Sequence, residues 1–153
     1  METIIIQEFD HHHAGEVILD LRKQKVQRCT GCWSCWLKTP GACAQHDLDI
    51  FYRAFARAKE TVFFLDIRHD FLTSNMKHLL DRMIPFALPY ISFEHNESRH
   101  HPRYEKRSHM TFIYQDTFTS AKAEQQFIAY LTTVAHQFHM DDVTIQRYAE
   151  ELL

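Results

Sequence analysis

A chain of 153 residues with 45% hydrophobic side chains can bury a proper core, and one domain is expected over residues 1–153. The net charge of -3 supplies no basic field, which argues against a nucleic-acid partner. No apolar run approaches a membrane span and no signal pattern opens the chain, so the expected setting is the cytoplasm, where clustered cysteines point to a metal or reactive thiols more than to disulfides.

The β-branched, apolar run TIIIQEF (Thr3–Phe9) predicts a first strand, and EVILDL (Glu16–Leu21) predicts a second. Asp10–Gly15 between them is shorter than the dozen or so residues of a parallel crossover. The two strands are therefore expected to form a hairpin or not to pair directly. His11, His12 and His13 in that connection, and the later pair His100 and His101, read as solvated loop residues, with metal binding as the alternative.

Next comes RCTGCWSCWLKTPGACAQHD, residues 28–47, which holds all four cysteines and both tryptophans. The spacing is Cys29-x2-Cys32-x2-Cys35, with Cys43 after a Pro40-Gly41 turn able to bring it back toward the other three. Cluster-binding runs share that opening with a shorter last gap. Three readings stand: a metal or iron–sulfur site on Cys29, Cys32, Cys35 and Cys43 (zinc, with His46 as a substitute ligand, being the weaker form); a redox thiol, with Arg28 or Lys38 stabilising the thiolate; or a structural loop in which Trp33 and Trp36 cap a sheet edge or pack across a dimer.

Asp47 is expected to cap a helix whose buried stripe is Leu48, Phe51, Phe55 and Ala58. TVFFLDI (Thr61–Ile67) is apolar enough to be a strand covered on both faces. RHDFLTSN reads as a loop, and MKHLLDRMIPFAL as a helix burying Met76, Leu79, Leu80 and Met83 and broken at Pro85. Lys77 and Asp81, four apart on it, are expected to pair. Ser92–Ser108 is polar and expected to be a long exposed loop. His109–Gln115 predicts a strand, Ser120–Phe138 an amphipathic helix with Phe127, Tyr130, Leu131, Val134 and Phe138 on one face, Asp141-Asp142 a turn, Val143–Ile145 a last strand, and the terminus a frayed helix. This alternation predicts an α/β fold, an open and mostly parallel sheet with helices on both faces. Ligands of such sheets bind beyond the strands' carboxyl ends, here the cysteine loop, IRHDFLTSN and QDTFTS.

A strand ending in LDL, then CTGCWSCWLKTPGAC, an acidic helix start, a buried strand and the MKHLLDRMIP helix together resemble the NAD(P)H-dependent FMN reductase branch of the flavodoxin-like superfamily. The resemblance runs from about Glu16 to Pro85. The cysteine spacing is also similar to that of the iron–sulfur flavoproteins. The resemblance implies a flavodoxin-like sheet, FMN at the strand ends, hydride transfer from NAD(P)H, a small-molecule electron acceptor and a homodimer. It places the flavin loops at Ile67, Arg68, His69 and Asp70 and at Gln115, Asp116 and Thr117, and offers a four-iron–four-sulfur cluster (4Fe–4S) on the cysteines as the alternative cofactor. The chain departs from the family at the N-terminus, which is shortened: DHHHAG stands where a phosphate-binding loop and helix belong. It departs again at Asp66, Arg68 and Asp70, where a flavin loop carries proline, an aromatic and glycine, and no glycine follows Gly41. Arg68, His69, Arg82 and the helix start Thr73–Asn75 are the groups available to replace the lost cradle. A degenerate relative serving as a binding module is the further reading.

Overall fold

The computed structural model describes residues 2–105 and 108–149. Five strands form the central sheet: β1 (Thr3–Gln7), β2 (Val17–Asp20), β3 (Glu60–Leu65), β8 (His109–Tyr114) and β9 (Val143–Arg147). They lie in the order β2-β1-β3-β8-β9, every pair parallel. In chain order that is 2-1-3-4-5, the flavodoxin-like arrangement, so the α/β class expected from the sequence is the class observed. No helix among the described residues is long and apolar enough to cross a membrane.

Residue alternation sorts the sheet into two faces. Ile4 and Ile6 of β1, Phe63 and Leu65 of β3, and Met110 and Phe112 of β8 face one way. On them pack α2 (Asp49–Arg57), α3 (Ser74–Asp81) and α4 (Ala121–Gln137). The stripe Leu48, Phe51, Phe55 and Ala58 is buried as its helical spacing requires, and so are Met76, Leu79, Leu80 and Met83. The opposite face, built on Ile5, Val62, Phe64 and Ile113, is covered by Phe9 and Tyr148. The buried apolar residues of the three helices join the first face, so among the described residues these helices lie on one face where both were expected.

The second face explains another correction. β1 and β2 pair directly and in parallel, with Ile4 opposite Val17. Because β1 ends at Gln7, residues 8–16 are free for the return. Nine extended residues reach about 30 Å, well beyond the roughly 17 Å length of a five-residue strand, so no helix is needed. This strap takes the place of the helix on that face. His11 stacks flat on Phe64, ring centroids 3.6 Å apart, and Phe9 meets Phe64 edge-on. His11 also bonds Gln7 at 3.0 Å, and burial pushes its basicity below the usual histidine range. It is a packing residue, not a solvated one.

The strap passes close to the sheet at Gly15. A Cβ there would stand 2.9 Å from Ile5 Cγ1 and 3.1 Å from the Thr3 carbonyl oxygen. Gly15→Val is expected to destabilise the protein by about 1–3 kcal/mol through overpacking, read as a lower urea midpoint. An unchanged midpoint would mean that the strap does not need this close approach.

Two stretches expected as loops are hairpins. β4 (Ile67–Arg68) and β5 (Phe71–Leu72) pair across a two-residue turn in which His69 and Asp70 both have positive φ. β6 (Ala87–Glu94) and β7 (Glu97–Pro102) form the other, in place of most of the expected polar loop; Lys106 and Arg107 of that loop lie outside the described residues. Arg99 of β7 is 3% exposed and holds Asp141 at 3.0 Å, while His136 of α4 bonds Glu97 at 3.0 Å. The hairpin is thus anchored to the end of α4. Lys77 and Asp81 pair as expected. The expected frayed terminal helix falls mainly on residues 150–153, outside the described residues.

Candidate functional site

Two places carry polar chemistry at one end of the sheet or beside it. The first is the crevice where β1 and β3 part, the switch point of this topology. Here the fold does gather residues nominated for flavin; His69 stands exposed in the β4–β5 turn, while Arg68, Asp70, Gln115, Asp116 and Thr117 bond the chain itself. Arg68 pairs with Asp66 at 2.8 Å. Asp70 accepts the Thr119 N–H at 2.7 Å, and its bonds to Thr119, the side-chain one foremost, hold the carboxyl below its usual range. Thr117 Oγ1 donates to the Ile67 carbonyl at 3.3 Å, the Gln115 N–H donates to Leu65 at 3.2 Å, and Asp116 pairs with Arg147 at 2.9 Å.

The crevice also contains Glu8, which the sequence reading did not single out. Its carboxylate accepts the Asp66 N–H at 3.0 Å and the Thr73 hydroxyl, while Thr73 caps α3 by accepting from Met76 N at 3.1 Å. Burial dominates and pushes Glu8 above the usual carboxylate range. A flavin phosphate needs several backbone N–H groups aimed at it and free. Those of Asp66, Gln115 and Thr119 are consumed internally, and the groups facing the crevice include the carboxylates of Glu8, Asp66 and Asp70. The residues nominated here do not supply an FMN phosphate with such a cradle.

The second place is the cysteine cleft. The loop is held at both ends by α3. Asn75 donates to the Leu21 and Gln24 carbonyls at 2.8 and 2.9 Å and accepts the Val26 N–H at 2.7 Å. Of the groups nominated as phosphate donors at Thr73–Asn75, the Asn75 side chain therefore fastens this loop, while Thr73 bonds Glu8 and caps α3. At the other end Asp47 does not cap α2, which starts from Leu48; its carboxylate grips Arg82 instead, with one bond of 2.7 Å. Arg82, nominated as a flavin cation, lies under the cysteines, 1% exposed, and reaches Gln27 O at 3.2 Å and Cys43 Sγ at 3.3 Å. Between these anchors the chain turns at Gly41, φ +83°, where a Cβ would meet the Tyr104 hydroxyl at 2.6 Å. That turn returns Cys43 to the other cysteines, as the Pro40-Gly41 pair suggested.

Cys29, Cys32, Cys35 and Cys43 all line one cleft of about 60 Å³, with Trp33 and Arg82. Their environments differ. Cys29 and Cys32 are exposed, Cys43 is half-buried and Cys35 is buried in α1 (Ser34–Leu37). Hydrogen bonds from the Ser34 hydroxyl, then the Ser34 N–H, then Thr30 lower the Cys32 thiol to about 7. Burial, followed by the nearby Cys43, Cys29 and Cys32 sulfurs, pushes Cys35 up. Arg28 and Lys38, nominated as the stabilising cations, are not among the causes of the Cys32 shift; two small hydroxyl residues do that work.

The metal reading fares differently. Among the described residues no group of three or more Cys, His, Asp or Glu is set to hold a metal ion. His46 turns to Asp49 at 3.1 Å. The four cysteines share one cleft without forming a ligand set among the described residues. The tryptophans stack on each other at 4.8 Å, and Trp36 Nε1 donates to the Ala87 carbonyl at 2.9 Å, tying the loop to β6. A scan against protein-family models matches none, and a search of curated proteins returns no significant similarity.

Proposed function

We propose that this chain is a redox protein of flavodoxin-like fold that works by dithiol–disulfide exchange at Cys32 and Cys35. One observation carries the reading: an exposed thiol lowered to about 7 lies three residues before a buried thiol that is pushed up. That asymmetry suits an attacking and a resolving cysteine. The narrower resemblance to NAD(P)H-dependent FMN reductases enters as the origin of the cysteine loop and not as its cofactor. The expected small-molecule electron acceptor is replaced by a disulfide.

The Cys32 thiolate attacks one sulfur of a substrate disulfide. The substrate S–S bond breaks, a Cys32–substrate mixed disulfide forms, and the departing thiolate takes a proton. Cys35 then loses its proton and attacks the Cys32 sulfur. The second substrate thiol leaves and a Cys32–Cys35 disulfide remains. Two electrons pass from the protein to the substrate, and a second dithiol restores the reduced protein by the same steps in reverse.

The test traps the intermediate. Cys35→Ser, incubated with a disulfide substrate, is expected to accumulate the mixed disulfide on Cys32, seen by intact-mass spectrometry, whereas the wild type releases it. No adduct on Cys32 would sink the reading. So would flavin bands that persist after added FMN is removed, or iron with broad brown absorbance in anaerobically purified protein.

A further inference from the structure

We propose that Trp33 is the substrate-recognition residue of this thiol site, and that the site takes disulfides carried on polypeptide segments with an apolar side chain beside the cysteine. The inference rests on the exchange reading above. Trp33 lies between Cys32 and Cys35 in a left-handed conformation, φ 57° and ψ 11°. A bulky aromatic residue adopts that region only against a steric penalty, and such outliers concentrate where a site needs them. Its carbonyl starts α1 by accepting the Trp36 and Leu37 N–H groups at 3.0 and 3.1 Å, yet the residue is not buried against the core, being 50% exposed. It is instead held as a platform. Its ring stacks on Trp36, which is fixed in turn by its bond to Ala87 and by the His100 ring at 5.3 Å. The platform stands beside the exposed Cys32 sulfur and forms one wall of the cleft.

The chemistry of the cleft selects against small charged disulfides. About 60 Å³ encloses little more than water, so a substrate must be held from outside. The only charged residue among those lining it is Arg82, whose guanidinium is already committed to Asp47, Gln27 and Cys43. A ligand rich in carboxylates gains no fixed cation there. A flat apolar face beside the attacking sulfur is what remains to bind with, and rigid indoles bind apolar segments at low entropic cost.

The test compares insulin, as a polypeptide disulfide, with oxidised glutathione, using Trp33→Gly. Glycine adopts positive φ freely, so this variant relieves the backbone while deleting the ring. The ratio of kcat/KM for insulin over that for oxidised glutathione is expected to fall about tenfold, mainly through the KM for insulin, with a Tm no lower than the wild type. An unchanged ratio overturns the proposal, and a lower Tm with an unchanged ratio assigns Trp33 a structural role. A wild type inactive toward both substrates overturns the exchange reading itself, and a wild type that strongly prefers oxidised glutathione overturns the polypeptide assignment alone.

Discussion

Arg82→Met is expected to lower the unfolding free energy by about 3–5 kcal/mol, the usual cost of breaking a buried ion pair by removing one partner. Arg82 is 1% exposed, and its guanidinium answers three groups at once: the Asp47 carboxylate, the Gln27 carbonyl and the Cys43 sulfur. Its own carbonyl accepts the Tyr52 hydroxyl at 2.8 Å, which fixes the end of α3 against α2. Methionine keeps much of the volume and removes every donor. Arg82 Nε has no hydrogen-bond partner among the described residues, so this side chain already carries an unsatisfied buried donor, and the pair is worth less than its bond count suggests.

A double-mutant cycle separates the pair from the packing. Asp47→Asn alone should cost less, because asparagine still accepts from the guanidinium, and the double variant should lose less than the sum. Acid titration supplies an independent sign. Hydrogen bonding to Arg82 is the largest cause holding Asp47 below its usual range. The folded state therefore favours the carboxylate, and that stability is present above the unfolded value near 3.9 and lost as pH falls through the folded one. In Arg82→Met this part of the acid limb should flatten. A loss under about 1 kcal/mol in chemical denaturation would show that Arg82 does not organise the loop.

The second large effect is chemical. Cys32→Ser is expected to abolish disulfide exchange, because a serine hydroxyl does not attack a disulfide at neutral pH. In the wild type, alkylation of Cys32 by iodoacetamide should rise through a midpoint near pH 7, the value set by Ser34 and Thr30. About half of that thiol is then ionised at pH 7, against about 3% for an ordinary thiol of pKa 8.5. Lower basicity also weakens the nucleophile, with a Brønsted coefficient of about 0.4–0.5, so the net gain in attack rate is only about threefold. Exposure and the neighbouring Cys35 therefore matter as much as the acidity. Ser34→Ala should move the midpoint upward while leaving the fold intact. If Cys32→Ser keeps the exchange rate, the attacking sulfur is elsewhere in the cleft, and if the wild-type midpoint lies near 8.5 the Ser34 bond does not act.

Local pattern determined much of the framework. The spacing of Leu48, Phe51, Phe55 and Ala58 sufficed for α2, the unbroken apolar run at Thr61 for β3, and Ser120 followed by an amphipathic repeat for α4, because periodicity and capping act within a few residues. Alternation of strand and helix then led to the α/β class and its parallel sheet. The same sequence placed four cysteines and a reversing turn in one loop, which made that loop a candidate site before any geometry was known.

Tertiary structure decided the rest, wherever a side chain had partners distant in sequence. Asp47 is an equally good cap or ion-pair partner in isolation, and the buried Arg82 settles the choice. The hairpin of β6 and β7 reads as a polar loop because what anchors it, Arg99 on Asp141 and Glu97 on His136, comes from the other end of α4. Whether a short connection is a turn or an extended strap depends on Phe64 and Ile5 being present to cover. The nominated flavin residues do meet at the strand ends, but only the folded chain shows Arg68 already paired with Asp66, Thr117 bonded to the Ile67 carbonyl and the Gln115 N–H given to Leu65. The composition of the cleft was thus written in the sequence, while the difference between Cys32 and Cys35 was set by burial and three-dimensional hydrogen bonding, which no spacing of cysteines encodes.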